Sequence, residues 1–249
     1  MSELKKFVED IIKRTAAEHS QSNMFLEPIV GFASAENPLY DKLDELIGRP
    51  QVHPKEFLET AKTVIVYFIP FSRETVKTIQ GKNAISKEWS RSYTYANEIL
   101  SNIGRNLHKE LELNGITVKS EPPTYTNATY DSINLSAKWS HKSTAVIAGI
   151  GTFGLNHLLI TEKGTAGRLG SVVIDAEIEP TKAREDSFCL YYKSGKCKVC
   201  VEKCPSGALS DDGSFNRFRC NAYLDGKNIR DSEQGCGMCS SGPCATRGF

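Results

Sequence analysis

The most informative stretch of the sequence reads Cys197-Lys-Val-Cys200-Val-Glu-Lys-Cys204-Pro205. Two residues between the first two thiols allow a tight loop to present both sulfur atoms to one site, while the cysteine before proline turns away from them. Residues 1–188 contain no cysteine, and all eight cysteines lie between Cys189 and Cys244. The C-terminal part of the chain therefore has a chemistry based on sulfur that the rest lacks.

The spacing C-x2-C-x3-C-P is the second half of the bacterial ferredoxin run C-x2-C-x2-C-x3-C-P, which binds iron-sulfur clusters. In two-cluster ferredoxins, the cysteine before proline binds the second cluster. The first cysteine of this run would lie three residues before Cys197, where the chain has Ser194. We therefore expect Cys189 to supply the missing ligand across an insertion of residues 190–196.

The other cysteines supply enough thiols for a second cluster. Cys220 stands alone, and Cys236-Gly-Met-Cys239 is followed by Cys244. Eight thiols fill two [4Fe-4S] clusters with none left over, because each cluster takes four cysteines. The predicted ligands are Cys189, Cys197, Cys200 and Cys244 for one cluster, and Cys204, Cys220, Cys236 and Cys239 for the other.

Zinc and disulfides are the alternatives for these cysteines. Two C-x2-C pairs would permit a zinc site on Cys197, Cys200, Cys236 and Cys239, but four cysteines would then stay unexplained. Disulfides fit poorly with an intracellular chain whose cysteines lie close together in the sequence. The spacing favours iron-sulfur clusters, whose negative charge would make the loaded protein acidic.

Helical and strand patterns alternate over the part of the chain that lacks cysteine. Apolar residues recur at helical spacing over residues 1–18 and 90–114, and the β-branched run 63–69 predicts a central strand. This alternation indicates an α/β (α+β) core. We expect an α/β cofactor- and substrate-binding domain over residues 1–185, followed by a ferredoxin-like domain with two [4Fe-4S] clusters over residues 186–249.

Two segments in the middle of the chain are candidates for a site. Residues 120–136 are polar and contain proline, which predicts a surface loop that could border a ligand. A helix is predicted over residues 137–147, and it leads into the glycine-rich stretch that begins at Gly149.

Charge and hydropathy exclude several classes of protein. The 31 Lys and Arg residues against 30 Asp and Glu give a formal charge of +1, without the basic field typical of nucleic-acid binding, so we do not expect a nucleic-acid partner. The longest apolar run, residues 63–70, is far shorter than the ~20 residues of a membrane helix. The N-terminus shows no signal-peptide pattern, so we expect a cytoplasmic protein without a membrane partner.

Four stretches follow one another in an order that resembles epoxyqueuosine reductases. They are Ala148-Gly-Ile-Gly-Thr-Phe-Gly154-Leu-Asn156, Leu169-Gly170, Cys204-Pro-Ser-Gly-Ala-Leu209 and Arg219-Cys220-Asn-Ala-Tyr-Leu224. Residues 53–62 and 95–111 are also similar, so the resemblance covers nearly the whole chain. The family is related to the cores of reductive dehalogenases.

The resemblance implies a cobalamin-binding α/β domain joined to a two-cluster ferredoxin domain. Electrons would come from a low-potential donor of the ferredoxin or flavodoxin type, pass through the clusters and reduce a bound corrinoid that acts on a small-molecule substrate. Gly149, Gly151, Gly154 and Asn156 match the family's glycine-rich turn, which implies cofactor binding. The alternative for these glycines is a tight turn between a helix and a strand.

The catalytic residues are less well marked. The family carries an acidic proton donor upstream of the glycine turn, but counting back without gaps places Leu135 there, and Asp131 lies several residues too far away. His141 is close enough to donate a proton instead, with Lys142 assisting it or binding an anion. We therefore expect His141 or Asp131 to be catalytic.

Three functions compete for this sequence. The first is a cobalamin-dependent iron-sulfur reductase of a small molecule. The second is an electron-transfer or corrinoid-activating protein that serves a partner corrinoid protein. The third is a minimal tRNA reductase, which we do not expect because the sequence ends five residues after Cys244, whereas the tRNA-modifying relatives continue into a helical-repeat domain; the resemblance thus implies a short form.

Overall fold

A computed structural model describes residues 3–19, 23–82, 84–122, 130–229 and 235–247 of the chain. Its elements, in chain order, are α1 (Glu3–His19), β1 (Ile29–Ser34), α2 (Leu43–Ile47), α3 (Pro54–Phe57), β2 (Thr63–Pro70), α4 (Arg73–Lys77), α5 (Lys87–Glu112), β3 (Val118–Ser120), β4 (Tyr130–Asp131), β5 (Ser136–Ala137), α6 (His141–Ile147), β6 (Gly151–Phe153), β7 (Leu159–Thr161), β8 (Gly167–Ile174), α7 (Leu190–Ser194), α8 (Val199–Glu202), α9 (Arg217–Gly226) and a 3-10 turn (Met238–Ser240).

The main sheet has the strand order β1-β2-β8-β3, and all its neighbouring strands are antiparallel. Strand β2 contains the β-branched run and is buried at all eight positions, which confirms the predicted central strand. Strand β3 pairs with β8 only from Val172 to Ile174. The sheet edge beside Gly170 and Ser171 is therefore not covered by β3.

Helices cover both faces of this sheet. Because side chains alternate along a strand, Val172 and Ile174 of β8 pack into the core beneath α1 and α5, whereas Val173 packs on the opposite face with Trp139 and α6. The mixed α/β core expected from the sequence is confirmed, in an antiparallel form.

The long helix α5 begins at a Ser86 cap whose hydroxyl oxygen accepts a hydrogen bond from the Trp89 N–H at 3.0 Å. Its buried face has the helical spacing that the sequence predicted, so the helix expected over residues 90–114 is confirmed. No helix within the described ranges is long and apolar enough to cross a membrane.

The helix predicted over residues 137–147 starts four residues later than expected. Ser136 and Ala137 form strand β5, which pairs with β4, and the chain turns into α6 only at the Ser140 cap. The preceding Leu135 has a left-handed φ of 48°, which ends any helical path there. Apolar spacing alone did not reveal this short hairpin.

The cysteine-bearing part packs against the segment just before β8 and against α5. The backbone N–H groups of Thr165 and Ala166 donate to the carbonyl oxygens of Cys244 and Ala245, at 2.9 and 3.1 Å. The Trp89 indole N–H of α5 donates to the Gly235 carbonyl oxygen at 3.0 Å. The boundary near residue 185 stays a prediction, and the two parts share apolar contacts across it.

Candidate functional site

The eight thiols fall into two groups of four. We name Cys189, Cys197, Cys200 and Cys244 the first thiol set, and Cys204, Cys220, Cys236 and Cys239 the second thiol set. Burial raises the pKa of Cys244 to about 12, and the other three thiols of the first set add to the increase. Burial likewise raises the pKa of Cys239 to about 12, and there the neighbouring thiols are those of the second set. Cys244 and Cys239 thus each have as charged neighbours the other three thiols of their predicted quartet, and cluster binding by the quartets stays a prediction.

The departure from the ferredoxin run has a local structural reason. The inserted residues fold into the short helix α7, which Cys189 precedes and which ends at Gly195 in the left-handed conformation. Ser194, at the position of the expected cysteine, donates its hydroxyl to the Leu190 carbonyl oxygen at 2.8 Å within the same helix. The helix lets Cys189 reach the site in place of residue 194.

All eight cysteines are free thiols. The described residues contain no group of three or more His, Cys, Asp or Glu side chains compact enough for a single metal ion. A zinc site would need Cys197 and Cys200 together with Cys236 and Cys239, but these pairs belong to different thiol sets. Each set has the four thiols that a [4Fe-4S] cluster requires, since each thiolate would bind a different iron.

The turn between β6 and β7 contacts both thiol sets. The Leu155 backbone N–H donates to the Cys189 sulfur at 3.5 Å. The Asn156 side chain donates through Nδ2 to the Cys239 carbonyl oxygen at 3.0 Å, and its Oδ1 accepts from the Leu158 N–H at 3.1 Å. Asn156, which the sequence predicted as a cofactor residue, therefore lies against the backbone of the second thiol set.

His157 follows in this turn with a left-handed φ of 55°, a strained conformation for a residue other than glycine. Its Nε2 lies 2.9 Å from the Gly213 carbonyl oxygen, and its ring packs against Phe215. Its own carbonyl oxygen accepts a hydrogen bond from Lys142 Nζ at 3.0 Å. The sequence analysis missed His157, although its position in a glycine-rich turn next to Asn156 was a usable signal.

The glycines of the predicted cofactor turn face protein atoms. A Cβ on Gly149, whose φ is 72°, would overlap the Lys182 carbonyl oxygen. A Cβ on Gly151 would lie 2.5 Å from the Ile160 carbonyl oxygen, and one on Gly154 would lie 2.6 Å from the Ile160 Cδ1. This geometry supports the tight-turn alternative, and cofactor binding by these glycines stays a prediction.

His141 belongs to a directed hydrogen-bond chain. Its Nε2 lies 3.4 Å from the Pro122 carbonyl oxygen, which can only accept, so a neutral ring carries its proton on Nε2. Its Nδ1 then accepts from the Ser171 hydroxyl at 2.7 Å, and that oxygen accepts from the Trp139 indole N–H at 2.9 Å. The sequence analysis missed Ser171, although a polar residue in a buried apolar strand was a signal.

Burial keeps this imidazole neutral. The pKa of His141 falls to about 4, mainly through burial and in part through the charge of Arg168, while the hydrogen bond to the Pro122 carbonyl opposes the decrease. A neutral ring at pH 7 donates a hydrogen bond but holds no proton to give as an imidazolium ion. The predicted role of His141 as a proton donor stays a prediction, and its surroundings favour a positioning role.

Asp131 serves as a turn residue between β4 and β5. Its carboxylate accepts from the backbone N–H groups of Ile133 and Asn134 at 2.9 and 3.0 Å, and from the Asn134 side chain at 2.7 Å. These bonds lower the pKa of Asp131 and keep it ionised, which disfavours proton donation. Its catalytic role stays a prediction. Residues 123–129 of the predicted polar loop lie outside the described ranges.

A cavity of about 1090 Å³ lies between α5 and the sheet. Gly104, Arg105, Ser120 and Pro122 line it, and the Tyr67 side chain forms part of its wall. Tyr67 is only 2% exposed, burial raises its pKa, and its hydroxyl forms no hydrogen bond with the residues that the structure describes. The cavity is separate from the glycine turn, and Pro122 connects it to His141.

The sequence is similar to those of epoxyqueuosine reductases. The epoxyqueuosine reductase of Lactococcus garvieae is 31% identical over 179 residues, which cover 70% of this chain and 46% of that protein. The Staphylococcus aureus enzyme is 24% identical over 181 residues, which cover 70% and 43%. The chain is homologous to epoxyqueuosine reductases. It spans about half the length of these curated relatives, and no protein-family profile matches it.

Solved structures of epoxyqueuosine reductases share the fold. The Streptococcus thermophilus enzyme has a TM-score of 0.56 at 21% identity over 96% of this chain and 67% of its own. A reductive dehalogenase, described in connection with B12-dependent dehalogenation, has a TM-score of 0.56 at 16% identity over 78% of this chain and 27% of its own. In sequence, the tetrachloroethene reductive dehalogenase of Desulfitobacterium hafniense is 40% identical over 72 residues, or 27% of this chain and 12% of that protein.

The buried neutral His141 predicts a pH-dependent stability. The folded-state pKa of about 4 lies below the ordinary 6.5, so the unfolded chain binds this proton first as the pH falls. The wild type should lose about 2–3 kcal/mol relative to His141→Gln between pH 6.5 and 4, measured by urea unfolding at each pH. The His19→Gln protein, which lacks an exposed histidine, should behave as the wild type. Equal pH profiles for wild type and His141→Gln would contradict the buried neutral ring.

The packing of Gly149 predicts a stability effect without a ligand. Gly48 has a similar φ of 70° but open space around it, so Gly48→Ala reports the backbone cost alone. Gly149→Ala should lose about 1–3 kcal/mol more than Gly48→Ala, because its methyl group overlaps the Lys182 carbonyl. Thermal unfolding measures both. If the glycine serves a ligand instead, the two proteins will be equally stable and only Gly149→Ala will bind cobalamin more weakly.

Proposed function

We propose that the chain is an iron-sulfur oxidoreductase that passes electrons through two [4Fe-4S] clusters to a bound cobalamin for reduction of a small-molecule substrate. The observation that carries the proposal is the presence of eight free thiols in two sets of four, with one hairpin turn that contacts Cys189 of the first set and Cys239 of the second. The homologous proteins are reductases, which supports the same general activity.

The thiol sets would bind one cluster each, and the β6–β7 turn would hold them together. The Leu155 N–H directed at the Cys189 sulfur would stabilise the thiolate and the reduced state of the first cluster, since hydrogen bonds to sulfur raise the reduction potential. Asn156 would fix the backbone of Cys239 and thereby the position of the second cluster. This turn is therefore the structural link between the two clusters.

The first thiol set lies next to an exposed surface that suits a donor protein. Tyr192 is 54% exposed. Partial burial is the main cause that raises its pKa, and the thiols of Cys189 and Cys200 add to the increase, so its ring lies near this set. Lys193 and Lys196 are exposed on the same segment. An acidic low-potential donor of the ferredoxin or flavodoxin type would dock here by charge complementarity.

The cavity beside Tyr67 is our candidate for the cobalamin site. Its volume of about 1090 Å³ is slightly above the usual range of ligand pockets, and the hydroxyl of the buried Tyr67 forms no hydrogen bond in the described ranges. Ser101, Arg105 and Ser120 would bind polar groups of the cofactor. The bound cofactor would supply the cobalt redox chemistry. The chain of His141 and Ser171 would fix the Pro122 backbone at the cavity wall.

A second candidate function is the reduction of epoxyqueuosine in tRNA. One observation favours it over our expectation that no nucleic acid binds: an epoxyqueuosine reductase in complex with a modified tRNA stem loop shares the fold, with a TM-score of 0.59 at 21% identity over 97% of this chain and 66% of that one. The formal charge of +1 does not support it. The two functions share the clusters and differ in the substrate.

Iron and acid-labile sulfide analysis of anaerobically reconstituted protein tests the clusters. We expect about eight irons per chain, and about four in Cys189→Ser and in Cys236→Ser, because each variant removes a ligand from one thiol set. Ser194→Ala, at the position of the missing ferredoxin cysteine, should keep about eight. Iron near zero, or a stoichiometric amount of zinc, would refute the proposal.

Cobalamin titration followed by visible absorption tests the cavity and separates the candidate functions. We expect a perturbed corrinoid spectrum with the wild type, binding about tenfold weaker with Gly104→Leu, which fills the cavity, and wild-type binding with Thr94→Leu on the exposed face of the same helix. Full iron content without corrinoid binding would leave an electron-transfer protein. Binding of a tRNA stem loop at physiological salt would favour the second candidate.

A further inference from the structure

Lys142 occupies an unusual position for a lysine. It lies in the first turn of α6, is partly buried, and donates from Nζ to the His157 carbonyl oxygen at 3.0 Å. No ion pair joins it to an Asp or Glu within the described ranges. Lysine side chains are seldom buried without a charged partner, so the negative charge that would balance Lys142 must come from another source.

The residue that holds Lys142 is itself fixed from three sides. His157 has a left-handed backbone, its Nε2 contacts the Gly213 carbonyl oxygen, and its ring packs on Phe215. The adjacent Asn156 donates to the Cys239 carbonyl oxygen. One short turn therefore binds both the lysine and the backbone of the second thiol set, which keeps them close together.

The thiols that interact electrostatically with Lys142 belong to the second set. Burial lowers its pKa, and the thiols that oppose this decrease are Cys239 and Cys220, both of the second set. Its other charged neighbours are Arg49 and Arg217, so positive charge accumulates on this side of the second set. The first set instead contacts the Leu155 N–H.

We propose that Lys142 raises the reduction potential of the cluster bound by the second thiol set, and so directs electrons from the first cluster to the second. This inference rests on the proposed function, because it requires both clusters. Reduction adds one negative charge to a cluster, and a cation held nearby in a poorly solvated site stabilises the reduced form more than the oxidised form.

The proposed step transfers one electron from the first cluster to the second. The reduced first cluster gives up one electron and becomes oxidised, the oxidised second cluster takes that electron and becomes reduced, and no atom changes place. The low-potential donor of the proposed function supplies the electron at the exposed surface near Tyr192. The electron would then reside on the cluster of the second thiol set, whose Cys239 backbone is held by the same turn that binds Lys142.

Redox titration of the reconstituted holo-protein, followed by EPR, tests this assignment. In Lys142→Gln we expect the reduced-to-oxidised ratio of the second cluster to fall about tenfold at a fixed potential, which equals a shift of about 59 mV to lower potential for a one-electron couple. The first cluster should keep its potential. Cys236→Ser, which should retain only the first cluster, identifies which titration step belongs to which cluster.

Two further variants complete the test. Lys142→Arg keeps the charge and should restore most of the wild-type potential, whereas Lys138→Gln removes an exposed lysine four residues away and should leave both potentials unchanged. Unchanged potentials in Lys142→Gln, an equal shift of both clusters, or an equal effect of Lys138→Gln would overturn the inference. Failure of the wild type to bind iron would overturn the proposed function itself.

Discussion

Leu155 donates its backbone N–H to the Cys189 sulfur, and the next residue, Asn156, donates from its side chain to the Cys239 carbonyl oxygen. Two thiol sets from a part of the chain with little regular structure are thereby positioned by one hairpin turn of the sheet-bearing part. The turn can be this tight because Gly151 and Gly154 let the hairpin backbone approach Ile160. The glycines thus contribute to the site through packing, since they shape the element that contacts the thiols.

The main sheet positions His141 through the register of strand β8. Strand β2 is buried along its whole length and holds β8 in register, and β8 presents Ser171 to the face covered by α6. Ser171 accepts from Trp139 and donates to His141, so the orientation of the imidazole follows from the strand register. A shift of one residue in β8 would turn Ser171 to the opposite face and break this chain.

Features that depend on local spacing could be predicted from the sequence. The central strand and the long helix follow from apolar periodicity, and the cysteine quartets, predicted from spacing, agree with the charged neighbours of Cys239 and Cys244. Contacts between distant segments could not be predicted in this way. The resemblance suggested roles for Asp131 and Gly149, but it did not reveal that Asp131 binds Asn134 in a turn or that Gly149 packs against the Lys182 carbonyl. Ser171 and His157 acquire their roles only through partners far away in the sequence.

His141 and Lys142 are adjacent in the first turn of α6, but they differ in pKa and in the groups that they contact. Burial lowers the pKa of both residues, but from different starting values. The pKa of the imidazole falls from 6.5 to about 4. The pKa of the ammonium falls from 10.5, and the thiols of the second set oppose this decrease. The first residue is therefore neutral at pH 7, whereas the thiols of the second set favour the protonated form of the second residue. Consecutive helix residues point about 100° apart, so the neutral ring meets Ser171 while the cation meets His157 and the second thiol set. The positive charge beside the second thiol set therefore comes from Lys142 on α6 together with Arg49 and Arg217 from other segments.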